Sequence, residues 1–260
     1  YAFVQKDATD GKDYLVVLDG HPLLQQVTPT GERVALDEDG VRLLAPVIPS
    51  KVYGLAKNYE AHAQFMHEHN QSPQAHAPAE MVIFTKPSTS VIGPDDSIVY
   101  PTYSHDMNYE PEVAVVMGRI AKNVPVDKAM DYVLGFTCVN DVTLRDLQGS
   151  DPMWTRAKGF DTSCPLGPWI VTKDEFDWRD ARIGFTLNGE DVPAASGTTA
   201  NLIHNIAEQI AGISSFSTLL PGDVIMTGTP NASGTLKPGD EAIVRVEGIG
   251  ELRNVVVQGE

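Results

Sequence analysis

The sequence is poor in three features that would assign a chain quickly to a class of protein. With two cysteines among 260 residues it has no disulfide framework. No stretch reaches the roughly 18 consecutive apolar residues that a membrane-spanning helix needs, so no membrane association is expected. Basic residues are also scarce, because 19 Lys and Arg stand against 35 Asp and Glu, which gives a net charge of −16. That charge repels phosphate backbones, so we expect no nucleic acid partner.

The remaining composition is typical of an ordinary globular protein. Hydrophobic residues make up 42% and charged residues 21% of the chain, and the length allows a substantial core. Cys138 lies in an apolar run, where a small buried thiol is expected. The first residues show no basic and then apolar leader, and together these features predict a reducing, cytoplasmic location. A small anionic substrate would need a locally positive site on so acidic a chain.

The pattern of strands and turns predicts two domains. Residues 1–48 read as short strands punctuated by Asp-Gly pairs at 10–11, 19–20 and 39–40, and Pro46 to Pro49 marks a boundary. We therefore predict a small N-terminal β subdomain at 1–48 and a larger main domain at 49–260. The strands predicted in the first domain begin at Tyr14, Arg33 and Val41.

Strand signals dominate the second domain as well. Helices are predicted after Asp141 and from about Ala200 to Phe216, where apolar residues recur at helical spacing. The polar, His-rich stretch from Asn58 to Ala79 is expected to begin as a helix and continue as a mobile loop. No solenoid repeat is present. The sequence predicts a β-rich α+β fold.

Glu110 and Glu112 are the most informative pair of residues. On a strand they point to the same side, and the residues that follow, Val113 to Met117, are apolar on both faces. Two adjacent carboxylates at the entrance of a buried strand repel each other and resist desolvation, and a divalent cation removes both costs. The alternative, a solvated strand end, is equally consistent with this motif alone.

Asp141 follows another buried strand and is either a helix N-cap or a third oxygen ligand. Three carboxylates favour Mg²⁺, Mn²⁺ or Ca²⁺ over Zn²⁺. A zinc site at the His cluster is the alternative, although a polar lid explains that cluster better. The cluster consists of His62, His67, His69 and His76.

Two further features point to the binding of an anion. Lys86, Arg145 and Lys158 are individually typical of solvated surface charges, but together they would supply the positive field that the chain otherwise lacks. The segment from Met226 to Pro230 contains a Thr-Gly-Thr turn, whose N–H groups and hydroxyls suit a carboxylate. A plain turn is the alternative.

Four motifs resemble those of the fumarylacetoacetate hydrolase family, and the resemblance extends from Val52 to Val257. The motifs are Glu-x-Glu-Val-Ala-Val-Val, Asn-Asp-Val-Thr-x-Arg-Asp-Leu-Gln, Trp-x-x-Ala-Lys-x-Phe-Asp and Leu-Pro-Gly-Asp-Val-Ile-x-Thr-Gly-Thr-Pro. The resemblance implies a mixed β-sandwich roll, an Mg²⁺ or Mn²⁺ site, a homodimer and a substrate with a pyruvyl head group.

The resemblance also implies roles for individual residues. Lys158 takes the place of the active-site lysine, and His62 that of the histidine on the lid. The family usually has Arg where this chain has Lys57, and an acid where it has Phe65, so that Glu68 is the candidate acid partner of His62. The resemblance places Glu110, Glu112 and Asp141 as metal ligands, and the residues expected to contact substrate are Lys57, Tyr59, Lys86, Arg145, Gln148 and Thr229.

A metal-bound 2-oxo acid forms an enolate when the adjacent bond breaks, and this supports three reactions. The first expectation is hydrolytic C–C cleavage of a fumarylpyruvate- or acylpyruvate-type 2,4-dioxo acid. The alternative is an isomerase or decarboxylase of aromatic catabolism, such as one acting on a 2-hydroxy-diene diacid or on oxaloacetate. A non-catalytic metal-binding or ligand-binding protein is the third reading, and the intact motifs count against it.

Overall fold

The computed structural model describes residues 1–69 and 71–260, which form two compact units, Tyr1–Leu43 and Leu44–Glu260. The first unit is an antiparallel sheet whose strands, in spatial order, are β1 (Ala2–Lys6), β2 (Asp13–Leu18) and β3 (Pro29–Ala35). The strand predicted from Val41 is wrong, because residues 41–45 have no regular structure. Within the described residues no strand pairs with them, and Leu44 is 68% exposed.

The second unit contains most of the regular structure. Its strands are β4 (Val52–Ala56), β5 (Val82–Lys86), β6 (Val91–Ile92), β7 (Ser97–Tyr100), β8 (Met107–Tyr109), β9 (Pro111–Met117), β10 (Val133–Asn140), β11 (Thr143–Leu144), β12 (Cys164–Thr172), β13 (Arg182–Leu187), β14 (Glu190–Asp191), β15 (Gly197–Thr198), β16 (Val224–Met226), β17 (Gly234–Leu236), β18 (Glu241–Val246) and β19 (Gly250–Gln258). Its α-helices are α1 (Glu60–Glu68), α2 (Arg145–Gln148), α3 (Thr155–Lys158) and α4 (Ile206–Phe216). The predicted β-rich α+β fold is confirmed.

Two large sheets pack face to face in this unit. One is mixed, in the order β5-β4-β16-β9-β10-β12-β6, and the other runs β14-β13-β18-β19-β7 with β15 beside β13. A small third sheet has the order β11-β8-β17. Side chains from all three sheets meet in one apolar core, where Tyr109 of β8 stacks on Phe185 of β13 with ring centroids 4.0 Å apart. The strands of this sandwich position the candidate functional residues.

Strand β9 lies in the middle of the mixed sheet, between β16 and β10, and every one of its residues is buried. Val113, Val115 and Met117 belong to the core between the two sheets. Because strand side chains alternate, Glu112 points to the other face, where Glu110 also lies. The prediction of a strand covered on both sides is confirmed, and a solvated strand end is excluded because Glu110 and Glu112 are 4% and 2% exposed.

The helices differ from the sequence prediction mainly in their bounds. Helix α4 begins at Ile206, not near Ala200, because Asn205 and Glu208 form a reciprocal capping box there. The predicted helix after Asp141 is the four-residue α2. Helix α1 forms the first part of the predicted lid, and Asn70, within the same stretch, lies outside the described residues. None of the helices in the described residues is both long and apolar enough to cross a bilayer.

Candidate functional site

Three buried carboxylates converge on one point of the second unit. One oxygen each from Glu110, Glu112 and Asp141 lies within 4.8 Å of the others. In residues 1–69 and 71–260, no other set of three or more acidic, His or Cys side chains has the spacing of metal ligands. The alternative zinc site of clustered histidines is therefore not formed by these residues. Hard oxygen donors of this kind suit Mg²⁺ or Mn²⁺.

The pairing of β9 with β10 brings the third acid to the first two. The antiparallel register sets Val139 opposite Glu112 and Asn140 opposite Pro111. Two hydrogen bonds extend this pairing just beyond the strands. Asp141 N–H donates to the Glu110 carbonyl at 2.9 Å, and Glu110 N–H donates to the side-chain oxygen Oδ1 of Asn140 at 2.9 Å. Asp141 is not an N-cap, because α2 starts four residues later with Leu144 in that position.

The Thr-Gly-Thr turn reaches the same point from the other side of β9. Strand β16 pairs Met226 with Ala114, so the next residues arrive beside Glu112, and Gly228 N–H donates to Glu112 Oε2 at 2.7 Å. Gly228 has φ +104°, and a Cβ there would lie 3.0 Å from Asn58 Cβ, so only glycine fits comfortably. This turn therefore binds a carboxylate of the protein itself, a partner that the sequence did not indicate.

Two cations neutralise two of the carboxylates. Lys158 Nζ lies 2.8 Å from Glu110 Oε2 and also donates to Asp141 Oδ2, while Arg145 Nη2 donates to Glu110 Oε1. Both cations are buried, with 2% and 8% exposure, so they are not solvated surface charges. Arg145 is oriented further by Ser233 Oγ at 2.8 Å. The expected positive field is present, but it is directed at the acidic cluster.

The third predicted cation, Lys86, does not reach the cavity. Its ammonium is buried behind Asp141, whose Oδ1 lies 2.8 Å away, and it donates to main-chain carbonyls. Lys86 was expected to contact the substrate, but in the structure it does not line the cavity and instead pairs with Asp141.

Charge and burial divide the three carboxylates into two kinds. Burial alone would raise the pKa of Glu110, but Arg145 and Lys158 lower that pKa well below its usual range. Burial, with Asp141 and Glu110 nearby, raises the pKa of Glu112 well above its usual value. No ion pair to Glu112 is formed by the described part of the chain. A buried carboxylate that lacks a cation, beside two that could share a ligand, fits a divalent metal ion.

A cavity of about 500 Å³ opens onto this cluster. Its size suits a small organic acid. The predicted residues that line it are Lys57, His62, Glu110, Glu112, Asp141, Arg145, Gln148, Lys158 and Thr229. Thr229 Oγ1 is buried without a hydrogen-bond partner and is available to a ligand.

His62 projects from α1 toward the cluster. Its Nδ1 lies 2.6 Å from the Asn231 carbonyl, and its Nε2 lies 3.8 Å from Glu110 Oε1. Because a carbonyl only accepts, Nδ1 carries the proton, and Nε2 of the neutral ring is left with its lone pair. Burial lowers the pKa of His62 to about 4, so the ring is neutral near pH 7.

Three predicted site residues lie outside the cavity lining, namely Glu68, Tyr59 and Lys86. Glu68 is exposed because it follows His62 by six residues, which is about 240° around a helix axis. Tyr59 is buried, and its hydroxyl has no hydrogen-bond partner. The hydrogen-bond partner of the His62 ring is thus the Asn231 carbonyl, and the acid that approaches the ring is Glu110, not Glu68. A backbone acceptor leaves no signal in the side-chain sequence.

Known proteins from several organisms are similar to this chain in sequence. The chain is 45% identical over 219 residues to Protein Rv2993c of Mycobacterium tuberculosis, covering 84% of this chain and 79% of that protein. It is 40% identical over 233 residues to the mitochondrial oxaloacetate tautomerase FAHD2A of Homo sapiens, covering 85% and 71%. Its residues 1–46 match the model described as Rv2993c-like, N-terminal.

Solved structures show the same fold. A 5-carboxymethyl-2-hydroxymuconate delta-isomerase from Mycobacterium smegmatis superposes with a TM-score of 0.85 at 38% identity, covering 99% of this chain and 94% of that one. A maleylpyruvate hydrolase from Sphingobium sp. SYK-6, in complex with manganese (II) ion and pyruvate, superposes with a TM-score of 0.70 at 28% identity, covering 90% and 78%. Residues 51–257 match the model described as fumarylacetoacetate (FAA) hydrolase C-terminal, and the chain therefore belongs to the fumarylacetoacetate hydrolase family.

Proposed function

We propose that this protein is a Mg²⁺- or Mn²⁺-dependent enzyme that transfers a proton on a 2-oxo acid, as a keto–enol tautomerase or double-bond isomerase. The observation that carries the proposal is the convergence of three buried carboxylates with Lys158 and Arg145 at the floor of a small cavity. A divalent ion held by Glu110, Glu112 and Asp141 would polarise the oxygens of a 2-oxo acid and stabilise its enolate.

The remaining cavity residues bind and orient the substrate. The free hydroxyl of Thr229, the last residue of the Thr-Gly-Thr turn, suits a carboxylate oxygen. Lys57, whose Nζ donates to Ser72 Oγ at 2.7 Å, supplies a cation at the cavity wall. Lys158 keeps its proton, because Asp141 and Glu110 offset its burial and raise the pKa of the ammonium. It is thus positioned to stabilise negative charge that develops on the substrate.

His62 is the group that moves the proton. Its unprotonated Nε2 belongs to a side chain that lines the cavity, and the Asn231 carbonyl fixes the ring by holding Nδ1–H. The neutral ring accepts a proton from the carbon next to the keto group and returns it to the substrate at another position. This needs no second acid.

The position of Glu68 is the observation that counts against hydrolysis. A water-activating pair was expected from His62 and Glu68, but Glu68 is exposed and does not line the cavity. C–C hydrolysis of an acylpyruvate is the second candidate, and the relative that carries manganese and pyruvate, a maleylpyruvate hydrolase, supports it. The similarity to an isomerase and to an oxaloacetate tautomerase supports the first.

A substrate panel distinguishes the two. We expect Mn²⁺-dependent tautomerisation of oxaloacetate or isomerisation of a 2-hydroxy-diene diacid to be faster than cleavage of acetylpyruvate or fumarylpyruvate. His62→Gln should slow the favoured reaction by roughly 10²–10⁴, the usual contribution of a general base. Glu68→Gln is the matched control and should change nothing. Faster acylpyruvate cleavage, lost in both variants, would instead establish the hydrolase.

Three further properties are proposed together with this function, namely the oligomeric state, the location and the domain boundary. We also propose that the protein is a homodimer, as the family resemblance implies, and that it is cytoplasmic, as the composition predicts, with the domain boundary near residue 48.

A further inference from the structure

Lys86 is the last residue of β5, an edge strand of the mixed sheet, yet its side chain is 1% exposed. Five oxygens surround its ammonium. They are the carbonyl of Val142 at 3.1 Å, of Lys158 at 2.5 Å and of Ser163 at 2.8 Å, Ser163 Oγ at 3.2 Å, and Asp141 Oδ1 at 2.8 Å. An ammonium has three donors and no acceptor, and the three carbonyls and Ser163 Oγ already engage these donors. The contact with Asp141 Oδ1 is an ion pair, since that oxygen has no hydrogen-bond partner among the described residues.

The acceptors come from separate segments of the chain. Asp141 and Val142 follow β10, Lys158 ends α3, and Ser163 directly precedes β12. One buried cation therefore joins the segment that carries an acidic ligand to the segment that carries the cavity lysine. An apolar side chain in its place would leave the Val142 carbonyl without a donor among the described residues. The Lys158 and Ser163 carbonyls would each lose one of two donors, because they also accept from Ser163 Oγ and from Val142 N–H.

The two oxygens of Asp141 have different surroundings. Oδ1 contacts Lys86, whereas Oδ2 accepts from Lys158, whose ammonium also bonds Glu110 Oε2. Oδ2 is thus the oxygen on the Glu110 side of the carboxylate. Rotation of the carboxylate would break the contact with Lys86.

We propose that Lys86 is a positioning residue of the metal centre: its ion pair with Asp141 Oδ1 fixes the orientation of that carboxylate beside Glu110 and Glu112, and its hydrogen bond to the Lys158 carbonyl fixes the main chain of Lys158. This inference rests on the proposed function, since it requires a metal at Glu110, Glu112 and Asp141. It replaces the expectation that Lys86 contacts substrate.

The direction in which metal affinity changes when Lys86 is removed distinguishes a positioning role from a purely electrostatic effect of its charge. A cation near a divalent ion repels it, so if Lys86 acted only through its charge, removing it would tighten metal binding. If it orients Asp141, removing it weakens metal binding, typically by about 10–100-fold for a group behind a metal ligand.

The experiment is a titration with Mn²⁺ alone, without substrate, followed by the loss of the free-ion electron paramagnetic resonance signal. Wild type, Lys86→Met and Lys86→Gln are compared, and both variants should bind Mn²⁺ about 10–100-fold more weakly. Lys51→Met is the matched control, because Lys51 also pairs with a buried acid, Asp223, and neither lines the cavity. It should lose thermal stability but keep wild-type Mn²⁺ affinity.

Equal or tighter Mn²⁺ binding by a folded Lys86 variant would overturn the inference. If Lys86→Met does not fold, Lys86→Gln decides, since its amide keeps two N–H donors for the carbonyls. Glu112→Gln separates this inference from the proposed function. Failure of the wild type to bind Mn²⁺, or undiminished binding by Glu112→Gln, would remove the metal centre itself.

Discussion

At the scale of single residues, Glu112 is the least compensated charge of the acidic cluster. Gly228 N–H donates to it, but the cations of the site contact Glu110 and Asp141. Burial and the two neighbouring acids accordingly raise its pKa. Ionisation of Glu112 is therefore unfavourable in the metal-free protein, and a divalent ion in the proposed site would remove that cost.

This arrangement predicts how metal affinity depends on pH. Because Glu112 binds a proton in the metal-free protein and must release it to a metal ion, Mn²⁺ affinity should rise with pH by up to about tenfold per unit below its raised pKa. Calorimetric titrations with Mn²⁺ in buffers of different protonation enthalpy measure the released proton. Glu110, whose pKa is lowered, stays ionised and contributes no such slope. An affinity independent of pH, with no proton release, would contradict the prediction.

The raised pKa of Glu112 also predicts that the free energy of unfolding of the metal-free protein falls as pH rises. A carboxyl whose folded pKa is raised destabilises the folded state as pH rises past its unfolded value, near 4.5. In chelator near neutral pH, Glu112→Gln should therefore be more stable to urea than the wild type, although it no longer binds Mn²⁺. The Gln side chain can still accept from Gly228 N–H. Lower stability of this variant would show that the carboxylate is compensated in a way its contacts do not indicate.

At the scale of elements, α1 carries His62, the residue proposed to transfer the proton, and has few buried side chains. It buries His62, Ala63 and Met66 and exposes most of its other residues. Beyond the helix, the contact of Ser72 Oγ with Lys57 Nζ ties the segment to the end of β4. An element with so few buried contacts opens at low free energy, as lids over active sites do.

We predict that residues 60–69 and 71–78 exchange their amide hydrogens faster in the free protein than with Mn²⁺ and oxalate bound. A ligand in the cavity would contact His62 and Met66 and so hold the segment closed. Hydrogen exchange followed by mass spectrometry measures this. Helix α4 is the internal control, since its Ile206, Ile210 and Ile213 are fully buried. Equally slow exchange with and without ligand would contradict a lid.

At the scale of the whole molecule, the site belongs entirely to the second unit. Every residue that lines the cavity lies within Leu44–Glu260, and the apolar core is built from the same unit. Metal binding should then be independent of the N-terminal sheet. That sheet has its own strand pairing and contributes no side chain to the acidic cluster.

Deletion of residues 1–43 tests this independence. Mn²⁺ at about 100 times its Kd should stabilise the shortened chain by about 2.7 kcal/mol, as it does the full chain, because binding stabilises only the folded state. Melting temperatures with Mn²⁺ and with chelator give the comparison. Loss of the Mn²⁺-dependent shift in a folded, shortened protein would show that the first unit supports the site.

The local pattern of the sequence was sufficient for one part of the protein. The alternation of a strand puts Glu110 and Glu112 on one side, and the apolar residues after them predict a strand covered on both faces, as β9 is. Both features depend on neighbours in sequence, so they can be read without the fold. The start of α4 could have been read as well, since Asn205 and Glu208 form a standard capping box.

Only the tertiary structure decided how these residues work together. The register of β9 against β10 brings Asp141 to Glu110, and the pairing of β16 brings Gly228 to Glu112 across 116 residues of sequence. The Asn231 carbonyl that holds His62 lies 169 residues away, and Lys86 reaches Ser163 across 77. Sequence spacing carries no information on such contacts, because they depend on which strands pair and which backbone groups remain free once the sheets have formed.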